Sequence, residues 1–385
     1  MIILISKKVA VLRYCVLYPN TKNVNLVKEM GMIPYKLHKL FNYDSKIVCY
    51  NLDEYAYLKE EVEGLKIDFL PRKFNNYSID GLLYLKKEAK NIDILQIFHV
   101  TMYSLVYAYT YKYFNPKGKI YLKLDCSHKL VERILSLSKF EYYFLNKYLN
   151  KADIISIEQE ILFKKLKDLL PKQKAKMIHI PNGVDFEYLE RKNINYDFEF
   201  KENIILSVAR VGTEEKNTEM LLEAFKNIKN IENSGWKLVI AGPIEGAFDK
   251  YLENFFAKNP KMSNLIEFTG DIKSREKLFK LYKKSKIFTL TSRFESFGIA
   301  FIEAAALGNI IVSTDVGIAR ELIYKDNGTV VDIENTKELT KQLETYIASN
   351  KLREMSLKTY NICNEKFNWD TVIDRLHSSL EKLLK

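Results

Sequence analysis

A chain of 385 residues is longer than one hydrophobic core ordinarily organises, so two domains are expected. An apolar content of 47 % with only 8 prolines excludes a disordered chain, and no apolar run reaches the roughly 18–20 residues that span a bilayer. The net charge of +11 points to an anionic partner, whether nucleic acid, phospholipid or a phosphorylated ligand, or else to a lysine-rich solvated surface.

At the N-terminus, Lys7, Lys8 and Arg13 interrupt the apolar residues. A signal peptide carries its charge first and its apolar block second, so none is expected. The four cysteines, Cys15, Cys49, Cys126 and Cys363, are scattered without paired spacing. That pattern speaks against a zinc site or a disulfide framework and fits a reducing, cytoplasmic setting.

Short β-branched runs then alternate with longer amphipathic segments, the pattern of an α/β chain with parallel sheets. Strands are predicted at 11–17, 46–50, 92–98, 119–124, 154–157 and 177–180, with helices such as 33–41 and 130–149 between them. A polar stretch, 186–203, reads as an interdomain connection. The alternation restarts with strands at 204–209, 236–241, 265–269, 287–291, 310–313 and 329–331. Helices are predicted at 218–228, 275–284, 299–306 and 336–349. The tail around Trp369 has apolar residues at helical spacing and predicts a closing helix. Two parallel-sheet domains facing each other would bind ligands in a cleft at the carboxyl ends of their strands.

Two segments of the second half carry candidate chemistry. In TSRFESFGIAFIE, Thr291 ends a strand and a tight connection leads into a helix. Amides near Phe297, Gly298 and Ile299 would sit at a helix N-terminus, where unpaired N–H groups and the dipole attract anions. Glu295 before the helix and Glu303 inside it can accept hydroxyls at opposite ends of one ligand, the chemistry of a nucleotide sugar. The plainer reading makes Glu295 a helix cap and Glu303 a solvated side chain. In SVARVGTEEKN, Arg210 follows a strand and Lys216 precedes a helix. Two cations there suit a departing diphosphate, although loop cations are also ordinary surface residues.

Their order with IPNGVD (180–185), LVIAGP (238–243), EFTGDIKSREKLFKLYKKS (267–285) and STDVGIAREL (313–322) resembles the family-4 glycosyltransferases. That family comprises retaining, nucleotide-sugar-dependent enzymes of the GT-B fold, and the resemblance includes its Glu-x7-Glu motif. It implies an α/β chain of two Rossmann-like domains facing a cleft. Residues 1–185 would bind the acceptor, 186–203 would connect, 204–362 would bind the donor, and helix 363–385 would return towards the N-terminal domain. It further implies that Arg210 and Lys216 hold the donor diphosphate, Glu303 the ribose hydroxyls, and Glu295 the sugar, helped by the amides of Phe297, Gly298 and Ile299. The turn at Gly270, Asp271 and Ile272 resembles the segment whose backbone reads the nucleobase, and also an ordinary strand-end turn. Asn217 stands where a glycine commonly follows the lysine, and Ile318 where the second glycine follows Val316.

In the first half, VKEMGMIPYKLHKLF resembles the family's glycine loop. Gly31 would allow close approach to the reaction centre, or simply make a turn, and Pro34 suits a first helical turn. His99 and Asp125 end predicted strands. Asp125 lies near a position where many relatives carry a histidine; it either orients the acceptor or caps a helix, and His99 is either catalytic or a satisfied strand-end residue. No Asp-x-Asp occurs, so no metal and no other cofactor is expected. The lysine–leucine stretch 163–176 reads as a solvated helix face or a contact with anionic lipid.

The expected function is transfer of a hexose or N-acetylhexosamine from a uridine-linked donor to a surface glycan or lipid-linked acceptor, peripheral to the inner face of a membrane. Alternatives are a nucleotide-sugar epimerase of related fold and a degenerate binding partner of another transferase. Nucleic-acid binding has no aromatic–basic stacking motif behind it.

Overall fold

A computed structural model describes residues 11–384. Residues 1–10, which hold part of the stretch read against a signal peptide, lie outside the described residues. The chain divides into two compact units, Met1–Asn182 with Trp369–Lys385, and Gly183–Asn368.

The first unit is built on a seven-stranded parallel sheet. Its strands are β1 (Arg13–Leu17), β2 (Asp44–Cys49), β3 (Lys66–Phe69), β4 (Ile94–Phe98), β5 (Lys119–Leu124), β6 (Ile154–Ile157) and β7 (Met177–His179), in the order β3-β2-β1-β4-β5-β6-β7. β4 is buried at every position, as a central strand covered on both faces must be. The sequence reading omits β3. It is a four-residue edge strand with no fully buried side chain, and its ends are tied by the ion pairs Lys66–Asp44 and Lys46–Asp68. Its Lys-Ile-Asp-Phe alternation is only four residues long, too short to stand out from the polar residues around it.

Two helix expectations change. The stretch 130–149 is not one helix but two, His128–Leu135 and Lys139–Leu149. Ser138 breaks the run with a capping box: its hydroxyl accepts from the Glu141 amide at 3.3 Å and the Glu141 carboxylate accepts from the Ser138 amide at 2.9 Å. The first helix begins at Glu29, ahead of the expected 33, and runs to Phe41. Pro34 therefore lies inside it, not in its first turn. Gly31 is a helical residue, not part of a loop: a Cβ there would stand 2.1 Å from the Leu26 carbonyl oxygen, so backbone packing demands the glycine.

The helix Trp369–Leu384 packs on Glu29–Phe41, burying Trp369, Val372, Ile373, Leu376 and Leu380. The expected boundary at 362/363 falls inside the preceding helix, Leu352–Lys366, where Cys363 is buried against Ile302 of the second unit.

The second unit carries six parallel strands: β8 (Glu202–Val208), β9 (Lys237–Ala241), β10 (Ile266–Gly270), β11 (Ser285–Leu290), β12 (Ile310–Thr314) and β13 (Gly328–Val331). Their order, β10-β9-β8-β11-β12-β13, is that of a dinucleotide-binding sheet, and it reverses direction between β8 and β11. Residues 186–203, expected as a connection, instead belong to this unit. Helix Phe186–Arg191 starts there, and Tyr188, Leu189 and Ile194 are buried in its core. Both units are thus Rossmann-like α/β domains, and among the described residues no helix is long and apolar enough to cross a membrane.

Candidate active site

In an open parallel sheet the crevice for a ligand lies beyond the carboxyl ends of the strands where the order reverses. In the second unit that point is β8 beside β11, so the loops after Val208 and Leu290 converge there. The first loop carries Arg210 and Lys216; the second carries Glu295.

The loops are stitched together. The Lys216 ammonium donates to Glu295 Oε1 at 2.7 Å, with side chains 16 % and 13 % exposed. Ser292 donates its hydroxyl to the same oxygen at 2.8 Å. Thr291 donates to the carbonyl of Asn217 at 2.9 Å, and the Arg293 amide donates to the Glu215 carbonyl at 2.8 Å. Arg210 forms an ion pair with Glu215, which lies 3.9 Å from the Lys216 ammonium. The cluster therefore presents two cations with two carboxylates behind them. Arg210 is the more exposed cation, and Lys216 is held in place by its partner.

Asn217 explains its own departure from the family pattern. Its backbone is left-handed (φ +48°, ψ 50°), the region a glycine would supply and asparagine tolerates best among side-chain-bearing residues. Its buried amide accepts from Arg293 at 3.2 Å and donates to Glu334 at 3.3 Å. Arg293 also pairs with Glu334, and holds that carboxyl below the usual glutamate range. Ile318 has an ordinary backbone (φ −93°), is fully buried, and donates its amide to the Phe297 carbonyl at 3.1 Å. That position has no need of glycine.

Gly298 begins the helix Ile299–Ala306 with φ +86°, a conformation L side chains rarely adopt. The turn from Glu295 through Phe297 thus ends on the amides of Gly298 and Ile299, where helical N–H groups have no intrahelical acceptor. Glu303 is five residues along the same segment from Gly298 and accepts from the Tyr282 hydroxyl at 3.1 Å. Burial, and then Glu303, push the Tyr282 phenol well above its ordinary value, so it stays a donor. Gly270 ends the edge strand β10 with φ +67°, its Cα facing open space, and Asp271 is exposed beside the half-buried Ile272.

The structure thus brings Arg210, Lys216 and Glu295 into one cluster and sets Glu303 on the helix that follows. Glu215, Ser292 and Tyr282 are additions the sequence reading did not single out. The only signal for Glu215 is its place beside Lys216, and the only signal for Ser292 its place in the same short loop as Glu295.

The remaining candidates lie in the first unit. His99 follows β4 with φ +57°; its amide donates to the Lys123 carbonyl at 3.0 Å and its own carbonyl accepts from Ser104 at 2.9 Å. Asp125 follows β5 and lies 2.8 Å from the fully buried Lys123 ammonium. Glu158 stands 4.0 Å from the same ammonium and accepts from Asn182 at 2.9 Å. Burial opposes the Lys123 charge, but Asp125 and Glu158 outweigh it and hold its pKa above the ordinary lysine value. Burial and the Asp125 charge raise Glu29 to about 7 and Glu158 well above the carboxylate range. This group of one ammonium and three carboxyls joins residues from three separate parts of the chain: Glu29, the end of β5 with Lys123 and Asp125, and Glu158 after β6. Gly31, two residues from Glu29, is packed on Leu26.

Residues 190–360 match the family model for glycosyl transferases group 1. The amylovoran biosynthesis glycosyltransferase AmsD of Erwinia amylovora is 32 % identical over 157 residues, 41 % of this chain and 42 % of that protein. The chain spans about half the length of the curated relatives it matches. Among solved structures, a glycosyltransferase of Rickettsia africae has a TM-score of 0.76 at 18 % identity, covering 97 % of this chain and 99 % of the other. HepE of Anabaena, solved in complex with UDP and glucose, has a TM-score of 0.69 at 14 % identity, covering 96 % and 100 %. At these identities the structural likeness is one of fold, the GT-B fold. The family match and the sequence relatives support a glycosyltransferase.

Proposed function

We propose that the protein is a retaining, family-4-type glycosyltransferase that moves a hexose or N-acetylhexosamine from a UDP-sugar to a hydroxyl of a surface glycan or lipid-linked oligosaccharide. The observation that carries this reading is the Lys216–Glu295 pair, joined through Glu215 to Arg210, at the carboxyl ends of β8 and β11. Arg210 and Lys216 neutralise the diphosphate as it departs, aided by the amides at Gly298 and Ile299. Glu295 accepts hydroxyls of the sugar, Glu303 those of the ribose, and the backbone at Gly270 to Ile272 meets the base. HepE, solved with UDP and glucose, supports the choice of a uridine donor.

In the proposed step the acceptor oxygen attacks the anomeric carbon from the face the leaving group occupies. The bond from that carbon to the phosphate oxygen breaks, and the departing phosphate takes the acceptor's proton. Configuration is retained, and the protein supplies positioning and charge, not a covalent nucleophile. With Arg210 and Lys216 as the cations, the reading includes no metal. His99 and Asp125, at strand ends of the first unit, are proposed to meet the acceptor side.

The test is incubation with labelled UDP-sugars and a glycolipid extract, followed by mass spectrometry and anomeric analysis of the product. Transfer with retention is expected. Isomerised sugar nucleotide formed without acceptor would make the protein an epimerase, and donor binding without turnover would make it a degenerate partner.

A further inference from the structure

The charge of the chain is divided unequally between its two units. Met1–Asn182 with Trp369–Lys385 holds 33 Lys and Arg against 21 Asp and Glu, a net +12, while Gly183–Asn368 holds 27 against 28, a net −1. A diphosphate site at Arg210 and Lys216 therefore does not account for the excess, all of which lies in the other unit. Within that unit, residues 112–176 alone carry 15 Lys and Arg against 7 Asp and Glu.

The same stretch holds an unusual helix face. In Lys139–Leu149, Asn146, Tyr148 and Leu149 are buried, while Phe140 is 70 %, Tyr143 59 % and Phe144 48 % exposed. Residues 139, 143 and 147 follow one another at i, i+4, with 140 and 144 alongside, so they share one surface. The Phe140 and Phe144 rings meet at 4.5 Å and Tyr143 meets Phe144 at 5.5 Å, forming one aromatic patch in solvent. Lys139 and Lys147 flank it at the two ends, both exposed. The acid nearby, Glu141, is engaged by the amide and hydroxyl of Ser138 at 2.9 and 2.7 Å. Four residues before Lys139, Leu135 is 67 % exposed at the end of the preceding helix.

Aromatic rings between lysines on a helix that buries only its other side match the requirements of a lipid interface. The rings enter the headgroup boundary and the ammonium groups meet anionic phosphates. We propose that the exposed face of Lys139–Leu149, centred on Phe140, Tyr143 and Phe144, docks the protein on an anionic phospholipid membrane. The segment 163–176, which the sequence alone suggests for this role, is less suited: Lys164 pairs with Glu160 at 2.6 Å, Lys167 lies over the Phe163 ring, and Lys176 donates to the Ala152 carbonyl at 2.9 Å. The inference deepens the reading above, since a lipid-linked acceptor is met at that surface, but it stands on charge and exposure and needs no sugar.

The test is flotation of the purified full chain with phosphatidylcholine vesicles, with and without phosphatidylglycerol, at low and high salt. Wild type is expected to float with the phosphatidylglycerol vesicles at low salt and to stay behind with phosphatidylcholine alone. Removing two surface lysines, each contributing about a fivefold gain at an anionic surface, predicts that Lys139→Glu with Lys147→Glu lowers partitioning by about 30-fold or more. Phe140→Ser with Phe144→Ser is expected to lower it by about tenfold or more. Failure of wild type to float, equal flotation with both vesicle types, or wild-type flotation of either double variant overturns the proposal. So does self-association of wild type in sedimentation that the phenylalanine pair abolishes, which would assign the face to a second copy. Should the phenylalanine pair fail to fold, the lysine pair, whose side chains lie in solvent, still decides. Because no nucleotide sugar is present, vesicle binding can fail while donor binding succeeds, and the reverse.

Discussion

Replacing Glu295 by glutamine separates what the carboxylate does for the fold from what it does for a donor. The amide keeps the size of the side chain, and its oxygen can still accept from Lys216 and Ser292, now 2.7 and 2.8 Å from Glu295 Oε1. Only the charge is lost. The Ser292 bond falls from one to a charged group, about 1.5–3 kcal/mol, to a neutral one, about 0.5–1.5, while the Lys216 bond keeps its charged donor, so the folded state should lose about 1–2 kcal/mol. Glu295 no longer offsets Lys216, so UDP alone should bind as well as to wild type or several-fold more tightly. A UDP-sugar, however, loses a carboxylate acceptor for its hydroxyls. Its advantage over UDP should shrink by about tenfold or more. Calorimetric titration of UDP and of the matching UDP-sugar into both proteins measures the two affinities and their ratio. An unchanged ratio would remove Glu295 from the sugar. Equal weakening of both ligands would show that the residue serves only to place Lys216.

Asn217→Gly preserves the left-handed backbone but loses the contacts to Arg293 and Glu334, and should cost about 1–2 kcal/mol in urea unfolding; Asn217→Val adds a strained β-branched residue and should cost about 3–4 kcal/mol. Gly31→Ala drives a Cβ to 2.1 Å from a backbone oxygen, so the first helix must shift, and a loss of about 3 kcal/mol is expected in the same assay. Glu29 is raised from 4.5 to about 7 by burial and by Asp125, against the pull of Lys123, with Glu158 in the same cluster. Between those values the folded state keeps a proton that the unfolded state has released, so this group's stabilising contribution is lost as pH rises through about 7. Unfolding measured from pH 4.5 to 8 should show that decline, about 3 kcal/mol from Glu29, and Glu29→Gln should lessen it, leaving the part that Glu158 contributes.

Much of the architecture can be read from the chain because central parallel strands are covered on both faces, and runs such as Ile94–Phe98 and Ile310–Thr314 are buried throughout and mostly apolar. The edge strand Lys66–Phe69 escapes the same reading because solvent on its faces allows lysine and aspartate. The break at Ser138 is present in the sequence as Ser-x-x-Glu, yet the apolar residues on either side keep helical spacing and hide it. For the candidate site, Arg210, Lys216 and Glu295 are legible because they lie in short loops after strands. Their direct pairing, and the share of Glu215 in it, arises only when β8 and β11 lie side by side. The buried group of Glu29, Lys123, Asp125 and Glu158 is illegible by pattern, since its members come from distant parts of the chain. Asn217 shows the converse: a departure by residue type that keeps the backbone conformation the position requires.

A nucleotide-sugar site in the second unit is tested most directly by thermal unfolding across UDP-, GDP- and ADP-sugars, with wild type and Glu303→Ala side by side. At about a hundredfold excess over Kd a specific donor adds about 2.7 kcal/mol. One nucleotide-sugar class should therefore raise the Tm of wild type by several degrees, and Glu303→Ala should lose most of that rise. No shift with any nucleotide sugar, or a full shift retained by Glu303→Ala, would contradict the account.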